Sequence, residues 1–162
     1  MTWTMKRTIS KLWADADTPE CRFRGFCLHG DEMYDKLQNI DPQLLRLNAA
    51  EGSILISNAL QGRIFAEIGG TLVHNFLPEL AEHPSPERFN NIGGNSLWPA
   101  PEGGPFAYNY PSGGPWTVQP GINTAPTRTV EAGPEQVRIA KEITLLNRRG
   151  RSIDLEFPVR SR

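Results

Sequence analysis

Val137-Arg-Ile-Ala-Lys-Glu-Ile-Thr-Leu-Leu-Asn-Arg-Arg-Gly-Arg-Ser-Ile-Asp-Leu-Glu-Phe-Pro-Val159 is the run whose reading settles the fold class. Val137, Ile139, Lys141, Ile143 and Leu145 fall on one face of an extended strand. Asn147 to Arg151 supplies a turn, with Gly150 free to take a positive φ. Ile153, Leu155 and Phe157 then alternate with Asp154 and Glu156. Two period-2 runs around a glycine turn predict an antiparallel hairpin.

Working outward, short strands also read from residues 44–77. Ile54 and Ile56 alternate with Ser53, Leu55 and Ser57, and Gln61-Gly62 marks a turn. Ile64, Ala66 and Ile68 alternate with Phe65 and Glu67, and Gly69-Gly70 makes the next turn. Thr71 to Phe76 continues extended. Strands punctuated by glycine turns predict an antiparallel meander. An alternative at 72–82 is a helix ending near Pro84, with Leu72, Phe76 and Leu80 on one face. Upstream, Asp31 is a candidate cap for a short helix in which Met33, Leu37 and Ile40 have helical spacing. Residues 1–34 read as an N-terminal extension packed against a β domain at 35–162.

Residues 84–126 differ in composition. They hold 9 of the chain's 14 prolines and 7 of its 15 glycines, too many for an ordinary helix. They also hold 6 of its 14 aromatics, which argues against a disordered linker. The zone therefore reads as an ordered, functional loop system. At its centre stands Phe89-Asn-Asn-Ile-Gly-Gly-Asn-Ser-Leu-Trp-Pro-Ala-Pro-Glu-Gly-Gly-Pro-Phe106, with two Gly-Gly pairs and one isolated acid, Glu102.

Glu102 is the candidate catalytic residue, because a carboxylate between Pro101 and Gly103-Gly104 can meet a ligand closely and act as a general base. The alternative is that it accepts N–H groups of its own loop. Trp98 and Tyr108, with Tyr110 and Trp116, are candidates for stacking on the apolar face of a sugar, against packing beneath the loops. Trp116 reads as core at the start of a strand. Asn90, Asn91 and Asn95 offer amide contacts to hydroxyls, or form turns. Arg63 and Arg88 offer a fork of donors to a ligand, or lie on the surface. His29, His74 and His83 show no metal-ligand spacing, and no metal or cofactor is expected.

The strand order with Gln61-Gly-Arg-Ile64, the Gly69-Gly70 turn and the Phe89–Phe106 run resembles the N-terminal half of an uncharacterised bacterial family with a galactose-mutarotase-like fold. Its members carry a similar Phe-Asn-x-x-Gly-Gly…Trp-x-x-Pro-Glu-Gly-Gly-x-Phe run. The resemblance covers about residues 35–160. It implies an all-β, antiparallel β-sandwich forming part of a supersandwich, with a carbohydrate ligand on a concave surface and an aldose 1-epimerase-like isomerase activity. Between Gly94 and Trp98 this chain has only Asn95-Ser96-Leu97, where relatives tend to have a longer, charged segment. The catalytic histidine and glutamate of mutarotases proper lie mostly beyond the equivalent of this half. The alternative expectation is a non-catalytic glycan- or protein-binding module, half of a larger assembly. An exposed sheet edge would then be covered by a second copy or a second chain.

The net charge of −1 gives no footprint for nucleic acid or an anionic membrane. Arg148, Arg149, Arg151, Arg160 and Arg162, offset by Asp154 and Glu156, read as a solvated hairpin and tail. No apolar run follows Lys6, Arg7 and Lys11, so neither a signal peptide nor a membrane span is expected, and the default compartment is cytoplasmic. Cys21 and Cys27 would be free thiols there and a small disulfide loop in an oxidising compartment.

Overall fold

The computed structural model describes residues 30–161. Cys21 and Cys27, His29 and the rest of the N-terminal run lie outside the described residues, as do the side chains of residues 157–162. Helix α1 spans Gly30–Ile40 and crosses the expected boundary at residue 34. It begins one residue before Asp31, so Asp31 and Glu32 sit in its first turn, where their charge suits the helix dipole. Met33 and Leu37, four residues apart and hence on one face, are both fully buried. Pro42 prevents continuation. The Asp41 carboxylate accepts bonds from the Gln43 N–H (3.0 Å), the Ser57 hydroxyl (2.7 Å) and the Ala59 N–H (3.1 Å), tying the helix end to the first sheet.

That sheet has four antiparallel strands in sequence order: β1 (Leu45–Ala49), β2 (Gly52–Ser57), β3 (Arg63–Ile68) and β4 (Thr71–Leu72). The expected turns are present, with positive φ at Gln61, Gly62, Gly69 and Gly70. The second sheet is β5 (Arg128–Ala132), β6 (Val137–Leu146) and β7 (Ser152–Ser161), also antiparallel in sequence order. The β6–β7 register runs unbroken from Val137↔Ser161 to Leu146↔Ser152, and Gly150 takes φ 72° in its turn. The described chain is thus mostly β, with two antiparallel sheets and few helices.

Both faces of the first sheet are used. On one, Leu55 and Phe65 join Met33 and Leu37 in a cluster closed by Phe76 and Ile92. On the other, Leu47 and Ile56 share a cluster with Val137 and Ile139 of β6. The inward face of β6 is therefore met by two different partners. Val137 and Ile139 meet the first sheet. Ile143 and Leu145 are covered by Tyr108, Val118 and Ile122 from the loop zone. Lys141 stands between the two halves.

The run at 72–82 combines both expectations. Thr71–Leu72 pairs with β3, Phe76 bridges to Gly93, and only Pro78–Glu82 is helical (α2). Proline presets the first helical position and drives the preceding Leu77 into the extended region, at φ −114° and ψ 91°. The loop zone is ordered, with a 3₁₀ turn at Pro111–Gly113 and a short helix α3 at Pro120–Asn123. The strand expected at Trp116 is absent. Trp116 is 48% exposed, and Val118 is the residue that enters the core.

Candidate functional site

The Phe89–Phe106 run is held from below by buried polar groups. Arg63, at the start of β3, donates from Nη1 to the Gly93 carbonyl (2.8 Å) and from Nη2 to the Asn90 carbonyl (2.9 Å). Its fork is thus occupied by loop carbonyls, which corrects the expectation of an open ligand contact or a surface role. Burial lowers its pKa. Asn90 is interior as well. Its backbone N–H donates to Asn123 Oδ1 (2.9 Å), and Asn123 Nδ2 donates to the carbonyls of Ser85 (3.1 Å) and Arg88 (2.8 Å). The loop is therefore fixed by buried internal hydrogen bonds, which makes whatever it presents pre-organised.

On the outer side of this loop, aromatic rings meet edge to face. Phe89 lies 5.3 Å from Trp98 and 6.4 Å from Trp116 between ring centroids, and Trp98 lies 6.2 Å from Tyr108. Phe89 and Trp116 are exposed and Trp98 is half-buried, so the three form a shelf open to solvent. Tyr108 does not belong to its rim. It is 4% exposed and sits in the cluster over Ile143 and Leu145, so its ring packs beneath the loops instead of stacking on a ligand. Burial, then the charge of Glu102, raises its pKa to about 12; the Asn109 amide acts the other way without reaching hydrogen-bond geometry.

Glu102 is exposed, and among the described residues its carboxylate makes no hydrogen bond to its own loop. Its charge is one cause of the raised Tyr108 pKa. Asn91 is exposed and apart from the internal network. Asn95 pairs through its backbone with Ile64, N to O at 2.8 Å and O to N at 3.0 Å. Arg148 and Arg149, expected to be solvated, do lie at the surface but also pack over the rings of Tyr110 (5.8 Å) and Phe106 (5.4 Å). His74 Nδ1 accepts the Ala66 N–H at 3.0 Å, which gives it a structural place.

The Asn95–Ile64 pairing opens a second feature. Asn95, Ser96 and Leu97 cover a cleft of about 170 Å³ whose other walls come from Gln61, Thr127, Ile139 and Lys141. Lys141 is 3% exposed. Burial, and then the Arg63 charge, lowers its pKa from 10.5 to about 8. Lys141 was legible as a lysine at an inward position of the β6 alternation, flanked by Ile139 and Ile143. Its role was not read from that position. Among the described residues, no group of three His, Cys, Asp or Glu side chains gathers as a metal site. No helix among them is long and apolar enough to cross a membrane.

Residues 31–160 match the model of a family of unknown function (DUF6786). The chain belongs to that family. The match takes in α1, both sheets and the whole loop zone, so shelf and cleft both lie within the family unit. No curated protein and no solved structure matches the chain.

The buried lysine sets a pH dependence for this DUF6786 chain. The folded-state pKa of Lys141, about 8, lies below its ordinary 10.5, so between these values the folded state binds fewer protons than the unfolded. Stability from this group therefore rises as pH climbs from 8 to 10.5 and is flat below 8. The facing charge is Arg63 from β3; the cleft walls carry no carboxylate. We expect a gain of about 2–3 kcal/mol across the window in wild type relative to Lys141→Met. Urea melts of the two proteins at each pH measure it, and parallel profiles would contradict a buried, depressed lysine.

Proposed function

We propose that this chain is a carbohydrate-binding β protein of galactose-mutarotase-like type, which receives a sugar on the shelf of Phe89, Trp98 and Trp116. The single observation that carries the reading is the shelf itself: three touching aromatic rings, two of them exposed, on a loop fixed by buried hydrogen bonds. The C–H face of a pyranose is apolar and carries partial positive charge, which suits the negative face of an aromatic ring. A pre-organised shelf loses little entropy on binding. Exposed aromatics in contact with one another are also unusual on a surface with no partner. Two antiparallel sheets sharing a core cluster are compatible with a sandwich and with part of a supersandwich.

Glu102 and the exposed Asn91 supply polar contacts for sugar hydroxyls in this reading. An aldose 1-epimerase needs an acid and a base, one on the ring oxygen and one on the anomeric hydroxyl. Glu102 can be one of them. Glu102 acts on Tyr108, but that ring is interior and its hydroxyl pKa is pushed up to about 12, and this favours binding over catalysis for this chain.

Trp116→Ala is expected to weaken saccharide binding about tenfold, the loss of one good stacking contact. The melting temperature should move little, because the ring is half exposed. Intrinsic tryptophan fluorescence, titrated with a panel of mono- and oligosaccharides, reports both binding and the loss. If no saccharide perturbs the emission of the wild-type protein, the carbohydrate reading fails. In parallel, the optical-rotation relaxation of fresh α-glucose and α-galactose should be unaffected by the protein. An acceleration that Glu102→Gln removes would restore the epimerase reading.

A further inference from the structure

We propose that the cleft between Asn95–Leu97 and β6 is a subsite for an anion, the carboxylate or phosphate of a small molecule, held by Lys141. The proposal does not depend on the aromatic shelf being a sugar site.

The seam in the core creates the cleft. Ile139 packs with the first sheet and Ile143 with the loop zone, and Lys141 lies between the two clusters. The result is a cleft of about 170 Å³ with an ammonium in its wall. A water's share of liquid volume is roughly 30 Å³, so the space suits a phosphate, or a carboxylate with a short carbon framework behind it.

Charge gives the second argument. Lys141 and Arg63 are both buried, and the Arg63 charge acts on Lys141 as a like charge. Among the described residues neither forms an ion pair. The Arg63 guanidinium is engaged by the Gly93 and Asn90 carbonyls, whereas no described hydrogen bond holds the Lys141 ammonium. Buried charges are ordinarily paired. No wall of the cleft carries an acid. Gln61, Asn95 and Ser96 bring hydroxyl and amide groups to the same space, and these can donate to an anion's oxygens, whereas the Thr127 hydroxyl is already donated to Asn58 Oδ1 (2.7 Å). An anion in the cleft would offset the Lys141 charge, and the Arg63 charge, which acts on Lys141, would favour it further. At neutral pH the ammonium still carries its proton and can make charge-assisted hydrogen bonds.

The geometry favours an anion over a covalent reaction at Lys141. Arg63 beside the amine and an acid-free wall attract negative charge, but supply no group to move protons to and from an imine nitrogen.

The test is isothermal titration of the full chain with sodium phosphate, sodium glucuronate, acetate and glucose at constant ionic strength. Phosphate or glucuronate is expected to bind saturably and glucose not to bind through this cleft. Preference for glucuronate over both phosphate and acetate would identify a sugar acid. Preference for phosphate would identify a phosphorylated ligand. Lys141→Met should melt cooperatively and lose at least about tenfold in affinity, the worth of a charged hydrogen bond. In wild type the affinity should fall as pH rises through 8. Asn95→Asp places a carboxylate at the exposed mouth without touching the core, and is expected to weaken the same anions about tenfold. It keeps the question open to measurement if the methionine variant misfolds. The proposal is overturned if none of the anions binds, or if Lys141→Met or Asn95→Asp binds them as tightly as wild type. A loss of saccharide binding at the shelf with anion binding intact would sink the proposed function alone.

Discussion

Gly93→Ala is expected to destabilise the fold by about 4 kcal/mol or more, enough to erase a cooperative melt in a domain of ordinary stability. Two costs add. Gly93 has φ 97°, a region that an L side chain occupies only under strain. A Cβ there would also collide with the carbonyl oxygen of Asn75 and lie 3.2 Å from the Phe76 Cα. These are backbone atoms of the segment whose Phe76 bridges to Gly93, so they cannot swing aside as a side chain would. Relief requires breaking the Phe76–Gly93 bridge, which also displaces the carbonyl that receives Arg63 Nη1. The control lies in the other glycine pair. A Cβ on Gly103 meets nothing within 4 Å, and its φ is not positive. Gly103→Ala should stay within about 0.5 kcal/mol of wild type. Urea denaturation followed by far-UV circular dichroism separates the two. Equal midpoints for both variants would mean that the first Gly-Gly pair does not pin the loop to the sheet.

Asn123→Ala carries the second large effect, about 3–4 kcal/mol. Asn123 is 2% exposed and its amide serves three backbone groups from α3. It accepts the Asn90 N–H and donates to the Ser85 and Arg88 carbonyls. It also accepts from Asn90 Nδ2 at 3.2 Å. Truncation strands the Asn90 N–H and the Arg88 carbonyl, while the Ser85 carbonyl keeps Asn90 Nδ2 at 2.8 Å, and each unpaired buried group costs roughly 1–3 kcal/mol. Asn123→Asp should be no better, because a carboxylate cannot donate to the two carbonyls and would bury a charge. The same variant is informative about function. If the shelf is rigid because of this network, Asn123→Ala should loosen Trp98 and Trp116, seen as faster hydrogen exchange at residues 85–98 with the β6–β7 hairpin protected. Uniform exchange across both regions would show one cooperative unit instead.

Much of the fold was legible because it is local. The β6–β7 hairpin, the β2 and β3 strands and the glycine turns follow from alternation and positive φ, which depend on neighbours in sequence. Helix α1 was legible from Met33 and Leu37. The helix–strand ambiguity at 72–82 was not decided locally. The backbone of Phe76 and Leu77 is claimed by Gly93 and Ile92, more than a dozen residues away, which leaves only Pro78–Glu82 free to coil.

That the candidate residues share one ordered loop zone was legible, and which of them are buried was not. Asn90 and Arg63 had the right chemistry for a ligand, but the Asn90 amide is taken by Ser85 and Asn123 and the two Arg63 Nη groups by the Gly93 and Asn90 carbonyls. Tyr108 and Trp116 exchanged places: the first was expected at a rim and is interior, the second was expected in the core and is exposed. Both are aromatics in a glycine-rich run without periodicity. Nothing local says which ring turns toward Ile143 and Leu145.

By itself the sequence determined that this chain pairs its strands antiparallel, turns at its glycines and keeps an aromatic loop system between two sets of strands. Those properties come from backbone freedom and side-chain alternation over a few residues. Only the tertiary structure decided what covers each half of the inward face of β6. That depends on the first sheet and the loop zone folding back from far along the chain onto one strand. Their meeting point falls at Lys141, and a lysine that alternation alone would place in a core becomes the wall of a cleft.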